Sequence, residues 1–148
     1  QLKSKAMREI KFRGKRIDNG EWIYGSFIVI RNIFDDQCLE EKIMFIDSKY
    51  IAGCETIGEC WVEVIPESVG QFTGLYDKNG KEIYEGDILE NGFFIKWNQL
   101  YNCFGYFSKS GYIKEIFSEF IDNNGKYSHY HLIYNIIGNI HDNPELIN

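Results

Sequence analysis

The sequence has little of what marks membrane-spanning, secreted or disordered proteins. Only two prolines occur among its 148 residues, and no apolar run approaches the roughly 18 residues that a membrane-spanning helix needs. No Asn-X-Ser/Thr site for N-glycosylation is present. Apolar residues make up 44% and aromatic residues 16% of the chain, which is enough to bury a core that disordered chains cannot form. The composition therefore predicts a folded cytoplasmic protein that does not enter a membrane.

The four cysteines form no recognisable disulfide or metal pattern. They stand at positions 38, 54, 60 and 103, and none belongs to a C-x-x-C motif. A chain this rich in core-forming residues does not need disulfides for stability. We therefore expect free thiols in a reducing compartment and no zinc site.

Motifs for phosphate, calcium and nucleophile chemistry are also missing. Five residues, not four, separate Gly74 from Gly80, and Glu82 stands where a phosphate-binding loop needs Ser or Thr. Asp77, Asn79 and Glu82 begin an alternation of oxygen ligands that stops too early for a calcium loop. No serine lies in a G-x-S-x-G turn. The sequence therefore predicts no catalytic residue, no metal ligand and no cofactor, which argues against an enzyme.

Charge is distributed unevenly along the chain. Residues 1–16 carry seven Lys and Arg against Glu9 alone, so this segment is +6 and the remainder is −12, for a net charge of −6. Lys11, Arg13 and Lys15 form a candidate basic patch for a polyanion or an acidic partner, and a solvated terminus is the alternative. The acidic remainder repels DNA phosphates, which favours a protein partner over nucleic acid.

A β-hairpin is predicted near the N-terminus. The segments Ile10–Ile17 and Glu21–Ile30 flank Asp18-Asn19-Gly20, where Asn-Gly supplies the positive backbone dihedrals of a tight turn. Trp22 and Tyr24 stand two positions apart, so their side chains share one face of the second strand. We take both aromatic residues as candidate binding residues.

Further strands are predicted from short apolar runs between turn residues. The segments are Lys42–Asp47, Cys60–Ile65 ended by Pro66, Ile83–Leu89 interrupted at Gly86, Phe93–Trp97, Cys103–Phe107 and His131–Ile140. Asp77-Lys78-Asn79-Gly80 marks a turn, and Asn143-Pro144-Glu145 begins a short closing turn. Closely spaced strands separated by turns indicate a small barrel or sandwich and not alternating βαβ units.

One helix is predicted in the C-terminal half of the chain. From Tyr112 to Ile121 the apolar residues recur in pairs every four positions, which fits one stripe of a helix better than the alternation of a strand. Ser110 is in place to cap the start of this helix, and Asn123-Asn124-Gly125 is in place to end it.

Glu85 and Asp87 flank Gly86 and allow two interpretations. As a carboxylate pair on one side of a strand they would suit acid–base or metal chemistry together with His141, which would make the chain a metal-dependent enzyme. As turn residues they would accept hydrogen bonds from backbone N–H groups at a bulge. We favour the structural interpretation and keep both carboxylates as candidate binding residues.

Aromatic residues are concentrated between Phe93 and Tyr134, with several lysines among them. Core packing is the favoured use of these side chains. Exposed aromatic residues on a small β-barrel can also stack the bases of single-stranded nucleic acid, or dock a partner or a second copy of the chain. Trp97 is the candidate binding residue of this region.

Five motifs follow one another along the chain. They are Arg8–Lys15, Trp22–Gly25, Val64–Leu75, Asp77–Leu89 and Ile137–Leu146. Together they resemble the YopX-like family of phage and prophage proteins, and Ser68 stands where that family usually carries Thr. The resemblance implies a phage or prophage origin and a mostly-β fold with an SH3-like barrel. It implies no reaction and no binding residues.

The expected fold is mainly β, with a small SH3-like β-barrel over 67–148, an additional N-terminal β-hairpin lobe over 7–66 and one short helix. One continuous domain over 7–148 is the alternative, and residues 1–6 are expected to be a leader or an added segment. The expected function is non-enzymatic binding of a host or phage protein in the cytoplasm of the host cell. Single-stranded nucleic-acid binding is the alternative, and a homo-oligomer is compatible with both.

Overall fold

The computed structural model describes residues 9–31, 41–46, 61–111, 113–116 and 134–147. The strands are β1 (Phe12–Arg16), β2 (Trp22–Gly25), β3 (Phe27–Arg31), β4 (Glu41–Ile46), β5 (Trp61–Tyr76), β6 (Glu82–Tyr84), β7 (Asp87–Leu89), β8 (Phe94–Asn98), β9 (Cys103–Phe107), β10 (Ile113–Ile116) and β11 (Ile136–Asn139). A short 3-10 helix follows at Pro144–Leu146, within the predicted closing turn. The expected mainly β fold is confirmed.

The chain divides into two compact units. The N-terminal unit is Ile10–Gln71, and the C-terminal unit begins at Phe72. Strand β5 crosses this boundary, so it contributes residues to both units. Each unit has its own antiparallel pairings and its own buried apolar cluster.

The N-terminal unit is built on antiparallel strands in the order β2-β1-β5-β4-β3. Its buried cluster consists of Ile23, Phe45 and Val64. Gly14 on β1 lies directly against this cluster, because a Cβ atom at that position would stand 3.0 Å from Phe45 Cε2 and 3.1 Å from Val64 Cγ2. Close packing therefore requires glycine at position 14.

The predicted N-terminal hairpin is confirmed, but its turn differs from the expected one. β1 and β2 pair antiparallel, and the N–H of Arg16 donates to Glu21 O at 2.9 Å, so the connection has four residues and not two. Gly20 has a φ of 72°, whereas Asn19 is not among the residues with positive φ. The Asn19 side chain instead accepts a hydrogen bond from the N–H of Glu21 at 2.9 Å, an interaction that competes with the tight Asn-Gly turn.

The predicted second arm of this hairpin is two strands. Gly25 on β2 pairs with Phe12 of β1, whereas Phe27 on β3 pairs with Phe45 of β4. The chain therefore changes its partner strand at Ser26, and β2 and β3 lie at opposite ends of the strand order. Partner choice of this kind depends on residues far away in sequence.

Strand β5 does not end at Pro66, as the sequence predicted, but continues to Tyr76. Lys15 pairs with Ile65 and Arg13 pairs with Gly70, so four residues of β5 lie opposite a single residue of β1. Pro66 falls inside this bulge, where the missing N–H breaks no ladder hydrogen bond.

The C-terminal unit contains antiparallel strands in the order β10-β9-β8-β7-β11, while β6 pairs with the end of β5. The buried cluster of this unit is Ile83, Leu89, Ile95, Phe104 and Tyr106. The predicted pairing of β8 with β9 is confirmed. The predicted interruption at Gly86 is also confirmed, because this residue has a φ of 87° and separates β6 from β7.

The predicted helix over Tyr112–Ile121 is wrong where the structure describes this segment. Ile113–Ile116 is strand β10, which pairs antiparallel with β9. Gly111 has a φ of 79°, and its N–H donates to Ser108 O at 2.9 Å, so the chain turns back along β9. A short amphipathic segment is marginal as a helix by itself, whereas β9 offers backbone partners for a strand. Tyr112 and residues 117–121 lie outside the described residues.

The pairings of the described residues do not close into a barrel. β10 and β11 end one strand order, and β2 and β3 end the other. The SH3-like barrel is therefore not confirmed and stays a prediction. Within the same described ranges, no helix combines the length and apolarity needed to cross a membrane.

Candidate functional site

The Asp77 carboxylate organises the predicted turn at residues 77–80. Its Oδ1 accepts hydrogen bonds from the N–H groups of Asn79 and Lys81, each at 2.8 Å, and its Oδ2 accepts one from Ile136 at 3.4 Å. Burial raises the pKa of this carboxyl, but the three N–H donors and the Lys81 charge outweigh burial, so the pKa lies below its ordinary value of 3.8. The backbone engages both oxygens, which supports a turn and not a calcium loop.

The two carboxylates beside Gly86 also accept hydrogen bonds from backbone N–H groups. Asp87 is 1% exposed, and its Oδ2 accepts from the N–H of Tyr84 at 2.8 Å. Glu85 Oε1 accepts from the N–H of Trp97 at 3.0 Å. These contacts are the structural role predicted for the pair. Burial removes Asp87 from the surface, whereas Glu85 stays half-buried.

His141 completes no metal site with this pair. The pairing of β11 with β7 places Asn139 opposite Asp87, two residues before His141. In the part of the chain that the structure describes, no group of three His, Cys, Asp or Glu side chains is placed to hold a metal ion. Cys103 is a free thiol, and the other three cysteines lie outside the described residues.

A groove lies beside β8 in the C-terminal unit, and we call it the β8 groove. It has a volume of about 550 Å³ and is lined by Glu85, Lys96, Trp97, Asn98, Gln99, Leu100 and Phe107. The structure therefore brings together Glu85 and Trp97, two of the candidate binding residues. One lysine and one glutamate in its lining leave the groove without an excess of charge.

Large apolar side chains are exposed at the end of β8 and in the loop that follows it. Leu100 is 79%, Tyr101 56% and Trp97 38% exposed. Trp97 packs edge-on against Phe104, with 5.0 Å between the ring centroids, so its ring is held while part of it stays accessible. Asn98 Oδ1 accepts a hydrogen bond from the N–H of Leu100 at 2.9 Å, which orders the loop.

Most other described aromatic residues of this region belong to the core, as the sequence favoured. Phe104 and Tyr106 are buried, and Phe93 packs against the same cluster. Sequence reasoning did not single out Leu100. The signal present in the sequence was an apolar pair, Leu100 with Tyr101, placed between turn-forming asparagines at positions 98 and 102.

A second candidate surface is one side of the β1–β2 hairpin. Lys15 lies opposite Trp22, and Arg13 lies opposite Tyr24, so these four side chains share one side of the sheet. Lys11 continues the same alternation just before β1. We call these five residues the basic–aromatic face. The structure thus joins the predicted basic patch to two of the predicted aromatic residues.

Arg13 and Trp22 are in direct contact within this face. The guanidinium carbon of Arg13 lies 4.8 Å from the centroid of the Trp22 ring. Arg13 is only 6% exposed, whereas Tyr24 is 51% exposed. A buried arginine over an indole is a cation–π contact that fixes the ring. Arg13 therefore positions Trp22, while Tyr24 presents its ring to solvent.

A family model described as YopX protein matches residues 11–148. The chain belongs to the YopX family. The match covers nearly the whole chain, which confirms the resemblance seen in the motifs. A comparison with curated proteins gives no match. YopX membership names no molecular function, so the function has to be inferred from the surfaces of the two units.

In this member of the YopX family, the C-terminal motif forms a polar turn around Asn139. Asn139 Oδ1 accepts hydrogen bonds from the N–H groups of His141 and Asp142, each at 2.9 Å, and its Nδ2 donates to Asp142 Oδ2 at 2.8 Å. A Cβ atom at Gly138 would lie 2.6 Å from Asn143 Oδ1. Like the turns at Asp77 and Gly86, this motif shapes a corner of the chain.

Proposed function

We propose that this YopX-family chain is a non-enzymatic module that binds another protein through the β8 groove and the loop that follows β8. The proposal rests on the exposure of Leu100 and Tyr101, at 79% and 56%. Leu100 also lines the groove of about 550 Å³. Aromatic and aliphatic side chains that enter a partner's pockets supply much of the binding energy of protein interfaces.

The charge around the β8 groove supports a protein partner over nucleic acid at this place. Lys96 and Glu85 balance each other in the lining. Residues 72–148 carry six lysines against ten Asp and Glu. Nucleic-acid binding draws most of its affinity from lysines and arginines that neutralise phosphates. An apolar segment of a protein matches this groove without any such excess of cations.

A phage or prophage origin and a cytoplasmic location in the host cell belong to the same proposal. Both follow from the YopX-like resemblance together with the composition of the chain. The partner is then a host or phage protein. The genes beside the coding sequence test the origin, because phage genes cluster by task, and a neighbourhood free of phage genes would contradict it.

Paired affinity purifications test the binding site. Wild-type protein and a Leu100→Ser/Tyr101→Ser variant serve as baits in host lysate, and a protein recovered with the wild type alone is then purified and titrated against both. We expect the variant to bind at least about tenfold more weakly, since each truncated anchor removes roughly 1 kcal/mol or more. Both side chains are exposed, so the fold is expected to persist.

The matched control is Lys109→Ser, which changes an exposed residue in the turn between β9 and β10. This variant should recover the same partner with wild-type affinity. Recovery of identical proteins by all three baits would contradict the proposed site. Sedimentation of the purified chain covers the remaining occupant: a dimer that the Leu100→Ser/Tyr101→Ser variant abolishes would mean that the groove binds a second copy.

A further inference from the structure

The basic–aromatic face of the N-terminal unit has no part in the protein-binding surface proposed above. Lys11, Arg13 and Lys15 occupy alternate positions along β1, so neighbouring cations are about 6.5 Å apart. Trp22 and Tyr24 run beside them on β2, one strand spacing of about 4.8 Å away. A row of cations therefore lies next to a row of aromatic rings.

The five side chains have different accessibilities, which assigns them different roles. Tyr24 is 51% exposed, while Trp22, Lys11 and Lys15 are half-buried. Arg13 is buried under the Trp22 ring and keeps it in place. Tyr24 and the accessible part of Trp22 are thus available for stacking, and the two lysines are available for attracting anions.

We propose that the basic–aromatic face binds single-stranded DNA. Unpaired bases stack on Tyr24 and on the accessible part of Trp22, while the phosphates between them lie beside Lys11 and Lys15. Aromatic side chains that stack bases, next to cations that follow the backbone, are the two elements of single-strand binding by small β folds. Both elements are present on one side of two neighbouring strands.

Duplex DNA fits this surface poorly. Bases in a duplex are paired and stacked, so they cannot stack on Tyr24 or Trp22. Residues 10–71 also carry eleven Asp and Glu against seven Lys and Arg, so the positive charge is confined to the face. A wide array of duplex phosphates would be repelled by the carboxylates around it.

Two other ligands are separated from DNA by their chemistry. An acidic peptide would use the lysines but gain little from the aromatic rings. RNA would use both, but no Ser, Thr, Asn or Gln among the five residues offers a short polar side chain for the 2′-hydroxyl. Single-stranded DNA is therefore the ligand to which the face is matched.

Fluorescence anisotropy with a labelled oligothymidine of about 12 nucleotides, a length within the site sizes of single-strand binders, tests this proposal. Tyr24→Ala should raise the Kd about tenfold, because one base no longer has its stacking partner. Lys11→Gln/Lys15→Gln should also raise the Kd and should reduce the slope of log K against log salt by about 1.4, or roughly 0.7 for each phosphate that is no longer neutralised.

Matched controls lie in the C-terminal unit. Tyr101→Ala and Lys96→Gln remove an exposed aromatic ring and an exposed lysine from the surroundings of the β8 groove. We expect both controls to keep the wild-type Kd for DNA, and Tyr24→Ala to keep the wild-type affinity for a protein partner. The two proposals can therefore fail separately.

A second measurement does not depend on weakened variants. DNA added to wild-type protein should quench tryptophan emission, and Trp22→Phe should bind DNA with similar affinity but show much less quenching, since Trp22 is the tryptophan in the face. The proposal is overturned if wild-type protein fails to bind at low salt, or if Tyr24→Ala binds normally. Equal affinity for duplex DNA, tenfold tighter binding of RNA, or displacement of DNA by an equal charge concentration of polyglutamate would also overturn it.

Discussion

The hydroxyl of Ser68 joins the bulge of β5 to the strand beside it. Ser68 Oγ accepts a hydrogen bond from the N–H of Lys15 at 2.7 Å and donates to Ile65 O at 2.6 Å. Ser68 is 2% exposed, so these groups would otherwise be buried without this partner. A hydroxyl that both accepts and donates replaces ladder hydrogen bonds that the bulge interrupts.

Ser68→Ala is expected to destabilise the N-terminal unit. The substitution leaves the N–H of Lys15 and the carbonyl of Ile65 without this hydroxyl, and desolvation of such buried groups costs about 1–3 kcal/mol. Urea denaturation, followed by circular dichroism, would measure the effect as a lower free energy of unfolding.

Ser68→Thr and Ser110→Ala are the controls for this prediction. Thr keeps the hydroxyl and is the residue usual at this position in the YopX-like pattern, so Ser68→Thr should recover most of the stability. Ser110 makes only an exposed hydroxyl contact with Ser108, and its removal should change little. Equal stability of Ser68→Ala and wild type would show that water or another group replaces the hydroxyl.

Gly14→Ala is expected to disrupt the core of the N-terminal unit. The added Cβ would stand 3.0 Å from the Phe45 ring and 3.1 Å from Val64, which is closer than packed side chains tolerate. Overpacking of this kind typically costs about 1–3 kcal/mol. Thermal unfolding monitored by circular dichroism should show a lower Tm than wild type.

A double substitution distinguishes this clash from a general effect of alanine. Phe45→Leu makes room at the ring edge, so Gly14→Ala should cost less in the Phe45→Leu background than in wild type. Strict additivity of the two substitutions would argue that Gly14 matters for backbone conformation and not for packing.

Stability should fall at low pH in part through Asp77. Its folded-state pKa lies below the ordinary value of 3.8, so the stabilisation is fully present above that value and is lost as pH falls through the folded pKa. The difference in free energy of unfolding between wild type and Asp77→Asn should therefore shrink below pH 3.8. Denaturation series at several pH values would measure it.

Asp18 is the control for the Asp77 prediction. A hydrogen-bonded ion pair with Arg16 lowers the pKa of Asp18, with Arg16 Nη2 at 2.6 Å from Asp18 Oδ2, but this carboxylate is exposed. Solvent screening makes such pairs weak contributors. Asp18→Asn should leave the pH profile nearly unchanged, and a profile dominated by Asp18→Asn would contradict the role given to Asp77.

Glu85→Ala should open one hydrogen bond at the edge of β8. The N–H of Trp97 would be deprived of its acceptor, and we expect its hydrogen exchange to accelerate roughly five- to tenfold, which corresponds to about 1 kcal/mol. Glu85→Gln keeps an acceptor oxygen and should exchange nearly as slowly as wild type.

The amide of Leu89 is an internal reference for this exchange measurement, because it donates to Phe93 O at 2.8 Å and does not contact Glu85 through that bond. Acceleration at Leu89 equal to that at Trp97 would indicate a loosened unit instead of one broken hydrogen bond.

Local turn chemistry was the part of the fold that the sequence predicted best. The turn after Asp77, the kink at Gly86 and the backbone bonding of its flanking carboxylates all depend on residues within a few positions of each other. The interactions that form them are therefore contained in a short stretch of sequence. Grouping of the candidate residues was harder, because Lys15 meets Trp22 only through strand register, and Leu100 was not identified at all.

Residue types and short spacings by themselves determined that this chain is a β protein of the YopX family, with corners at its Asn-Gly and Gly-Asp steps. Tertiary structure alone decided that β5 continues past Pro66, that Ile113–Ile116 is a strand, and that Leu100 faces solvent. The physical reason is the range of the forces involved. Backbone dihedral preferences act within a turn, whereas strand partners and burial depend on segments that fold together from distant parts of the chain.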